Sequence, residues 1–380
     1  MSADLKSRRV LFVVTEDWFF SSHFLDRAKF LAMSGFRVGI ATRFSTHRMD
    51  LEQLGFETFP VDFSRRGINP IGEIFTSFRI RKIINRFKPD VVHNIALKPV
   101  VTGTVGALLA RHKYIVNALV GMGYIFTSTD TRASLLRPLL KKVLRSLLHS
   151  DAVHVVIENQ DDLHTLISER IVDAEQISLI RGAGVDLNVF TATPQPEGQL
   201  VVCMVARMLV DKGVREFVDA AKIIGAEHPS VQFWLVGEPD HGNPSTIRES
   251  EIEVWKQLPN IHYLGRRSDV QEIMSASHIV CLPSYREGLP KSLIEALASG
   301  RPVVATDVPG CREVVQNHRN GLLVPPRDST ALASALESLI VDPEMRMRMG
   351  QAGRIRAENE FSNDLICKQT LDLYQSIGAL

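Results

Sequence analysis

The chain has 380 residues, 45% of them hydrophobic, and a formal net charge of +1. That length exceeds what one hydrophobic core commonly organises, so two globular domains are expected. The four cysteines, Cys203, Cys281, Cys311 and Cys367, stand far apart, which excludes metal-site spacing and a disulfide framework; they read as buried thiols of a cytoplasmic protein, with no nucleic-acid partner expected.

Residues 10–14 form a short apolar run that predicts a strand. The run is too short for a signal peptide, and no stretch reaches the roughly 18 apolar residues of a membrane-spanning helix. Residues 22–33 predict a helix ended by Gly35, 37–42 a strand, 71–86 a helix, and 91–93 a strand after Lys88-Pro89-Asp90. This alternation predicts a parallel, doubly wound sheet. Residues 132–149 (RASLLRPLLKKVLRSLLH) place Leu136, Leu140, Val143, Leu144 and Leu147 on one face, with Arg137, Lys141, Lys142 and Arg145 around them. Such a basic amphipathic helix lies on an anionic lipid surface or buries its leucines in a domain core; both readings fit. The Pro-rich stretch 191–198 (TATPQPEG) is the linker candidate, and the alternation restarts with a strand at 200–206 and a helix at 214–224. Residues 1–190 hold 25 Lys+Arg against 19 Asp+Glu, leaving 19 against 24 for the rest of the chain. The basic half is expected to meet the acceptor.

Residues 284–300 (SYREGLPKSLIEALASG) carry the densest chemistry. The apolar run 278–283 predicts a buried strand, and 292–299 an amphipathic helix starting near Pro290, a residue favoured at the first helical position. The backbone N–H groups of 289–292 would then form an anion-attracting helix start beyond the strand. Glu287 would lie in the loop and Glu295 about two turns into the helix; a carboxylate accepts two hydroxyls at once, which suits a sugar ring or a ribose. A loop glutamate and a solvated helix glutamate would have the same spacing. Upstream, Arg207 and Lys212 flank a strand-to-helix turn, where fixed cations can stabilise a departing diphosphate without a metal.

Residues 300–313 (GRPVVATDVPGCRE) and 320–325 (NGLLVP) complete the pattern. Together these segments resemble the donor-binding half of retaining GT-B glycosyltransferases of family 4, in particular bacterial enzymes acting on lipid-linked or surface-polysaccharide precursors. The resemblance implies an α/β GT-B fold, two doubly wound Rossmann-like domains facing across a cleft: an acceptor domain at 1–190, a nucleotide-sugar domain at 191–362, and a terminal helix at 363–380 packing back on the first. It also implies that Glu287 contacts the donor sugar, Glu295 the ribose, the backbone of Gly288 and Leu289 the diphosphate, and Arg207 and Lys212 the leaving group. Segments 236–245 and 264–267 would border the nucleobase, and 181–186 the cleft. The co-substrate would be a UDP-sugar and the acceptor a lipid-linked glycan, with no metal or other cofactor and a peripheral place at the inner membrane face.

On the acceptor side the chain departs from the family. Residues 15–23 (TEDWFFSSH) lack the family's glycine-rich loop. Trp18 and Phe19 either stack on an acceptor or cap the sheet, and His23 opens a helix as a capping residue or faces the acceptor. His93 stands where many members have His-x-His, here with Ile95 at the second place; it either takes a catalytic role, orienting the acceptor hydroxyl or the donor sugar, or packs. Lys98 is a partner for an acceptor phosphate, and Gly121 and Gly123 either let backbone approach a ligand or make a plain turn. Two rivals share the fold, a sugar-nucleotide epimerase and a non-catalytic glycan-binding protein. The basic turn combined with the glutamate pair favours the transferase, which moves a hexose or N-acetylhexosamine.

Overall fold

The computed structural model describes residues 8–63, 70–121 and 131–380, with side chains from 137 onward in the third stretch. Gly123 and the side chain of Leu136 lie outside the described residues. The chain forms two compact units, one of residues 1–183 with 363–380, the other of 184–362.

In the first unit, seven parallel strands stand in the order β3-β2-β1-β4-β5-β6-β7. They are β1 (Arg9–Glu16), β2 (Arg37–Arg43), β3 (Glu57–Pro60), β4 (Val91–Ile95), β5 (Ile115–Leu119), β6 (Val153–Ile157) and β7 (Ile177–Leu179). Nearly every residue of β1, β4 and β5 is buried, as expected of a sheet covered on both faces. One face packs on α4 (Pro70–Phe87), α5 (Leu97–Leu109), α6 (Thr131–Leu148) and α7 (Gln160–Ser168). The other packs on α1 (Asp17–His23), α2 (Leu25–Met33) and α3 (Arg48–Gln53), together with the chain's last helix, α15 (Asn363–Ser376). Tyr374 of α15 is fully buried there, so the terminal helix belongs to this unit.

One expectation changes here. The helix expected over 22–33 is two helices, broken at Phe24 (φ −126°, ψ −7°). Helical structure begins directly at the end of β1 because Asp17 is tied down at once. Its carboxylate accepts from the Ser45 hydroxyl at 2.6 Å and from the backbone of Ser45, Thr46 and His47 at 2.7–3.0 Å. Burial works against the ionised form, but these bonds prevail and hold the Asp17 carboxyl below its ordinary value.

The second unit repeats the design with six parallel strands, β10-β9-β8-β11-β12-β13. They are β8 (Val201–Val205), β9 (Gln232–Val236), β10 (Ile261–Gly265), β11 (Ile279–Leu282), β12 (Val303–Thr306) and β13 (Gly321–Val324). The flanking helices are α8 (Val214–Glu227), α9 (Glu249–Trp255), α10 (Val270–Ser275), α11 (Lys291–Ala298), α12 (Pro309–Val314), α13 (Ser329–Val341) and α14 (Pro343–Glu360). The stretch 191–198, expected as a linker, is instead a strap on this unit. Buried Arg301 donates to the carbonyls of Thr193 and Pro194 at 3.0 and 3.1 Å, and His278 Nε2 lies 3.0 Å from the Pro196 carbonyl. All four cysteines are buried and unpaired. Among the described residues no helix is long and apolar enough to cross a membrane.

Of the roles left open for His93 by the sequence, orienting a substrate or packing, the structure shows packing. It lies inside β4, opposite Phe12 of β1, 1% exposed, with Nδ1 2.6 Å from the Tyr374 hydroxyl. Burial, reinforced by Arg27, pushes its pKa down to about 3. The folded protein thus refuses a proton that the unfolded chain accepts from about pH 6.5 downward, so this contribution is intact above pH 6.5 and lost as pH falls toward 3. Wild type should lose on the order of 2 kcal/mol more stability than His93→Gln between pH 7.5 and 5. Urea midpoints at the two pH values measure this, and equal losses would contradict a buried neutral imidazole.

Candidate active site

In a doubly wound sheet, ligands collect beyond the carboxyl ends of the strands where the strand order reverses. In the second unit that point lies between β8 and β11, which are neighbours in the sheet. Arg207 and Lys212 follow β8, and Glu287 follows β11. Topology thus brings the two motifs to one place. Lys212 ends a short 3-10 turn, Val210–Lys212, and Gly213 after it takes φ 73°. A Cβ on Gly213 would stand 2.0 Å from the Pro283 carbonyl oxygen, so glycine is what lets the two loops touch. They are also bonded, Tyr285 N–H donating to the Asp211 carbonyl at 2.9 Å.

Lys212 Nζ donates to both oxygens of Glu287, at 2.6 and 2.8 Å, and the Ser284 hydroxyl donates to Oε1 at 2.5 Å. The Glu287 side chain is 9% exposed. Sequence reasoning gave Glu287 and Lys212 separate ligands; the structure holds them as one ion pair. An ammonium has three N–H donors, so one remains on Lys212 for a ligand while two fix the carboxylate. Thr306 in turn holds the Ser284 carbonyl.

Gly310 completes the seat. A Cβ there would lie 2.3 Å from the Gly288 carbonyl oxygen and 2.7 Å from that of Glu287, so the loop carrying Glu287 rests directly on the start of α12. Leu289 is buried beneath the loop, 9% exposed. Pro290 stands just ahead of α11 in an extended conformation (ψ 108°) rather than at its first position. Its carbonyl accepts from Leu293 and Ile294, which closes the first turn of α11.

Glu295, on α11, is 8% exposed, which excludes the solvated-helix alternative. Burial pushes its carboxyl pKa up, opposed by Lys291 at 3.3 Å. Arg207 donates to Asp240 at 2.8 Å and is 45% exposed. Segment 236–245 is stitched to the β8 loop, Met208 donating to the Glu238 carbonyl at 3.0 Å and Val210 to that of Ser245 at 2.8 Å. Gly237 packs so closely that a Cβ would lie 1.9 Å from the Ala206 carbonyl oxygen. Among the described residues one triplet has metal-ligand spacing, Glu227, His228 and Glu337. It sits at the far end of α8 from Lys212.

In the first unit the switch point lies between β1 and β4. Trp18 is half-buried in the first turn of α1, edge-on to Phe19 at 5.9 Å. His23 closes α1 rather than opening a helix, its ring stacked on Phe19 at 4.2 Å. Lys98 pairs with Glu73 at 3.4 Å, and Gly121 turns the chain after β5 with φ 101°. Two features escaped the sequence reading. Ala96, between β4 and α5, holds φ 73° and ψ 163°, a region nearly reserved for glycine. Glu158, directly after β6, has its pKa pushed up to about 8 by burial, with Arg27 opposing and Asp162 reinforcing. Neither shows in composition or periodicity, since both arise from tertiary surroundings.

Comparison with known proteins bears on the family and the fold. Residues 9–156 match the family model described as glycosyl transferase 4-like, and residues 188–356 the one described as glycosyl transferases group 1. The chain is 26% identical over 340 residues to the N,N'-diacetylbacillosaminyl-diphospho-undecaprenol alpha-1,3-N-acetylgalactosaminyltransferase of Campylobacter jejuni, covering 86% of this chain and 88% of that one. It is 27% identical over 324 residues to the UDP-Gal:alpha-D-GlcNAc-diphosphoundecaprenol alpha-1,3-galactosyltransferase of Escherichia coli, covering 81% of each. Among solved structures, a glycosyltransferase from Rickettsia africae aligns with TM-score 0.78 at 20% identity, over 97% of this chain and 98% of the other. Anabaena HepE in complex with UDP and glucose aligns with TM-score 0.77 at 20% identity, over 97% and 99%. These likenesses show the fold, and with the family matches they show that the chain belongs to the group 1, family 4 glycosyltransferases of GT-B architecture.

Proposed function

We propose that this glycosyltransferase moves a hexose or N-acetylhexosamine from a UDP-sugar, with retention of configuration and without a metal, to a lipid-linked acceptor of surface-polysaccharide synthesis. One observation carries the donor side. The loops after β8 and β11 hold Lys212, Glu287 and Ser284 in one bonded group at the switch point, with Arg207 on the same β8 loop and Glu295 on the helix that follows. The undecaprenol-diphosphate acceptors named for the Campylobacter and Escherichia relatives support the acceptor class, and the UDP in the HepE complex supports the nucleotide.

In this reading the bond between the anomeric carbon and the UDP oxygen breaks with its electron pair leaving on the diphosphate. Arg207 and the remaining donor of Lys212 stabilise that charge. The acceptor hydroxyl attacks from the same face and passes its proton to the departing phosphate oxygen, so no separate base is required. Glu287, its oxygens oriented by Lys212 and Ser284, grips sugar hydroxyls and takes no covalent part in this reading. Glu295 holds the ribose.

A panel of nucleotide-sugars incubated with a diphosphate-lipid-linked acceptor and read by mass spectrometry tests the substrate class. A product one sugar heavier, made with a UDP-sugar, is expected; an epimer formed from the UDP-sugar alone would overturn the transferase reading. Lys212→Ala and Glu287→Ala should each lower kcat about a hundredfold or more with the fold intact, and near-normal turnover in either would refute the site. Gly310→Val should raise the donor KM and destabilise the chain by roughly 1–3 kcal/mol. Unchanged KM and thermal midpoint would show that the loop does not depend on that seat.

A further inference from the structure

Helix α4 buries Ile80, Ile83, Ile84 and Phe87 in the first unit's core, yet its opposite face is as organised as the buried one. Ile71, Ile74, Phe75 and Phe78 are 68%, 55%, 70% and 45% exposed. Their spacing of i, i+3, i+4 and i+7 sets them in one stripe. Continuing along the same face, Arg81, Lys82 and Arg86 are exposed and have no ion pair among the described residues, while Arg79 reaches Asp62 at 3.4 Å. Glu73, the one acidic residue of the helix, is turned toward Lys98. The exposed face therefore runs from apolar to cationic with no carboxylate on it. Large apolar side chains in such an array mark a surface that something covers.

On the helix singled out from sequence as basic and amphipathic, α6, several of the described side chains are engaged within the unit. Leu144 and Leu148 are in the core, Lys141 pairs with Glu169 at 2.6 Å, and Arg145 donates to the carbonyls of Glu169 and Arg170 at 2.7 and 2.8 Å.

We propose that the exposed face of α4 docks this protein on an anionic lipid bilayer, with Ile71, Ile74, Phe75 and Phe78 entering the acyl boundary and Arg81, Lys82 and Arg86 meeting headgroup phosphates. Amphipathic surface helices bind in this way, apolar area and cationic charge acting together. The position suits the function. Because α4 returns antiparallel to the strands between β3 and β4, its apolar first half lies toward their carboxyl ends, where an acceptor would bind. A second copy fits this face poorly. It offers no carboxylate for the cations, and an antiparallel two-fold pairing would bury Arg81, Lys82 and Arg86 of one copy against the apolar half of the other.

The lipid-linked acceptor reading underlies this proposal, and the test separates the two. Co-sedimentation is measured with vesicles of phosphatidylcholine alone and of an equal mixture with phosphatidylglycerol. The wild type should partition onto the mixed vesicles, more weakly at high salt. Ile74→Asp with Phe75→Asp, and Arg81→Glu with Lys82→Glu and Arg86→Glu, should each lower that partitioning about tenfold or more. Lys142→Glu on α6 should bind like the wild type. Thermal midpoints and transfer to a water-soluble acceptor analogue should stay unchanged in all variants, while transfer to a vesicle-embedded acceptor falls with binding. Equal partitioning of the α4 variants and wild type, no binding by the wild type, or a wild-type dimer that the apolar variant dissolves would each overturn the proposal. Vesicle binding without transfer to any acceptor would leave the docking surface standing and defeat the functional reading instead.

Discussion

The bond from Lys212 to Glu287 joins two loops that lie 75 residues apart in the chain, and the rest of the candidate site in the second unit is arranged around it. A nearly buried carboxylate needs a partner, because an unpaired one would cost several kcal/mol in desolvation. Lys212 supplies that partner, Ser284 adds a hydroxyl, and the glycines at 213 and 310 allow the backbone to come close enough for the contact. The pair also answers a chemical need. A lysine that is already oriented requires little reorganisation when charge develops on a leaving group, and such preorganisation is where electrostatic catalysis gains most.

The constraint beneath the pair is topological. Strand order reverses at β8 and β11 in one unit and at β1 and β4 in the other, and each reversal leaves adjacent loops to diverge at the carboxyl edge. In the second unit those loops carry the cations and the glutamate. In the first they carry the acid-anchored start of α1 and the strained backbone of Ala96. The two units have the same plan with different residues at the same place.

How much of this could be read from the sequence varied with the physical origin of each feature. The strand-helix alternation and the segment 284–300 were legible because buried strands and helix faces have their own periods, and because Glu287, Glu295, Arg207 and Lys212 stand at fixed spacings around them. Their mutual pairing was not, since nothing local shows which side chain Lys212 would meet. His93 stayed ambiguous for a related reason. The polar pair His93-Asn94 looks like the end of a strand, but β4 continues through Ile95. Asn94 is buried against Asn117 at 2.8 Å, and His93 against Tyr374, 281 positions away. The stretch 191–198 misled in the opposite way: its prolines suggested a free linker, while Arg301 fixes its carbonyls to the second unit.

The central claim is that the two glutamates do unequal work, Glu287 on the sugar and Glu295 on the ribose. Calorimetric affinities for UDP and for the intact UDP-sugar test it directly. Glu295→Gln should weaken both ligands about tenfold, whereas Glu287→Gln should weaken the UDP-sugar and leave UDP bound as well as before or better, since Lys212 is then released toward the diphosphate. Equal loss of UDP affinity in the two variants would contradict the account.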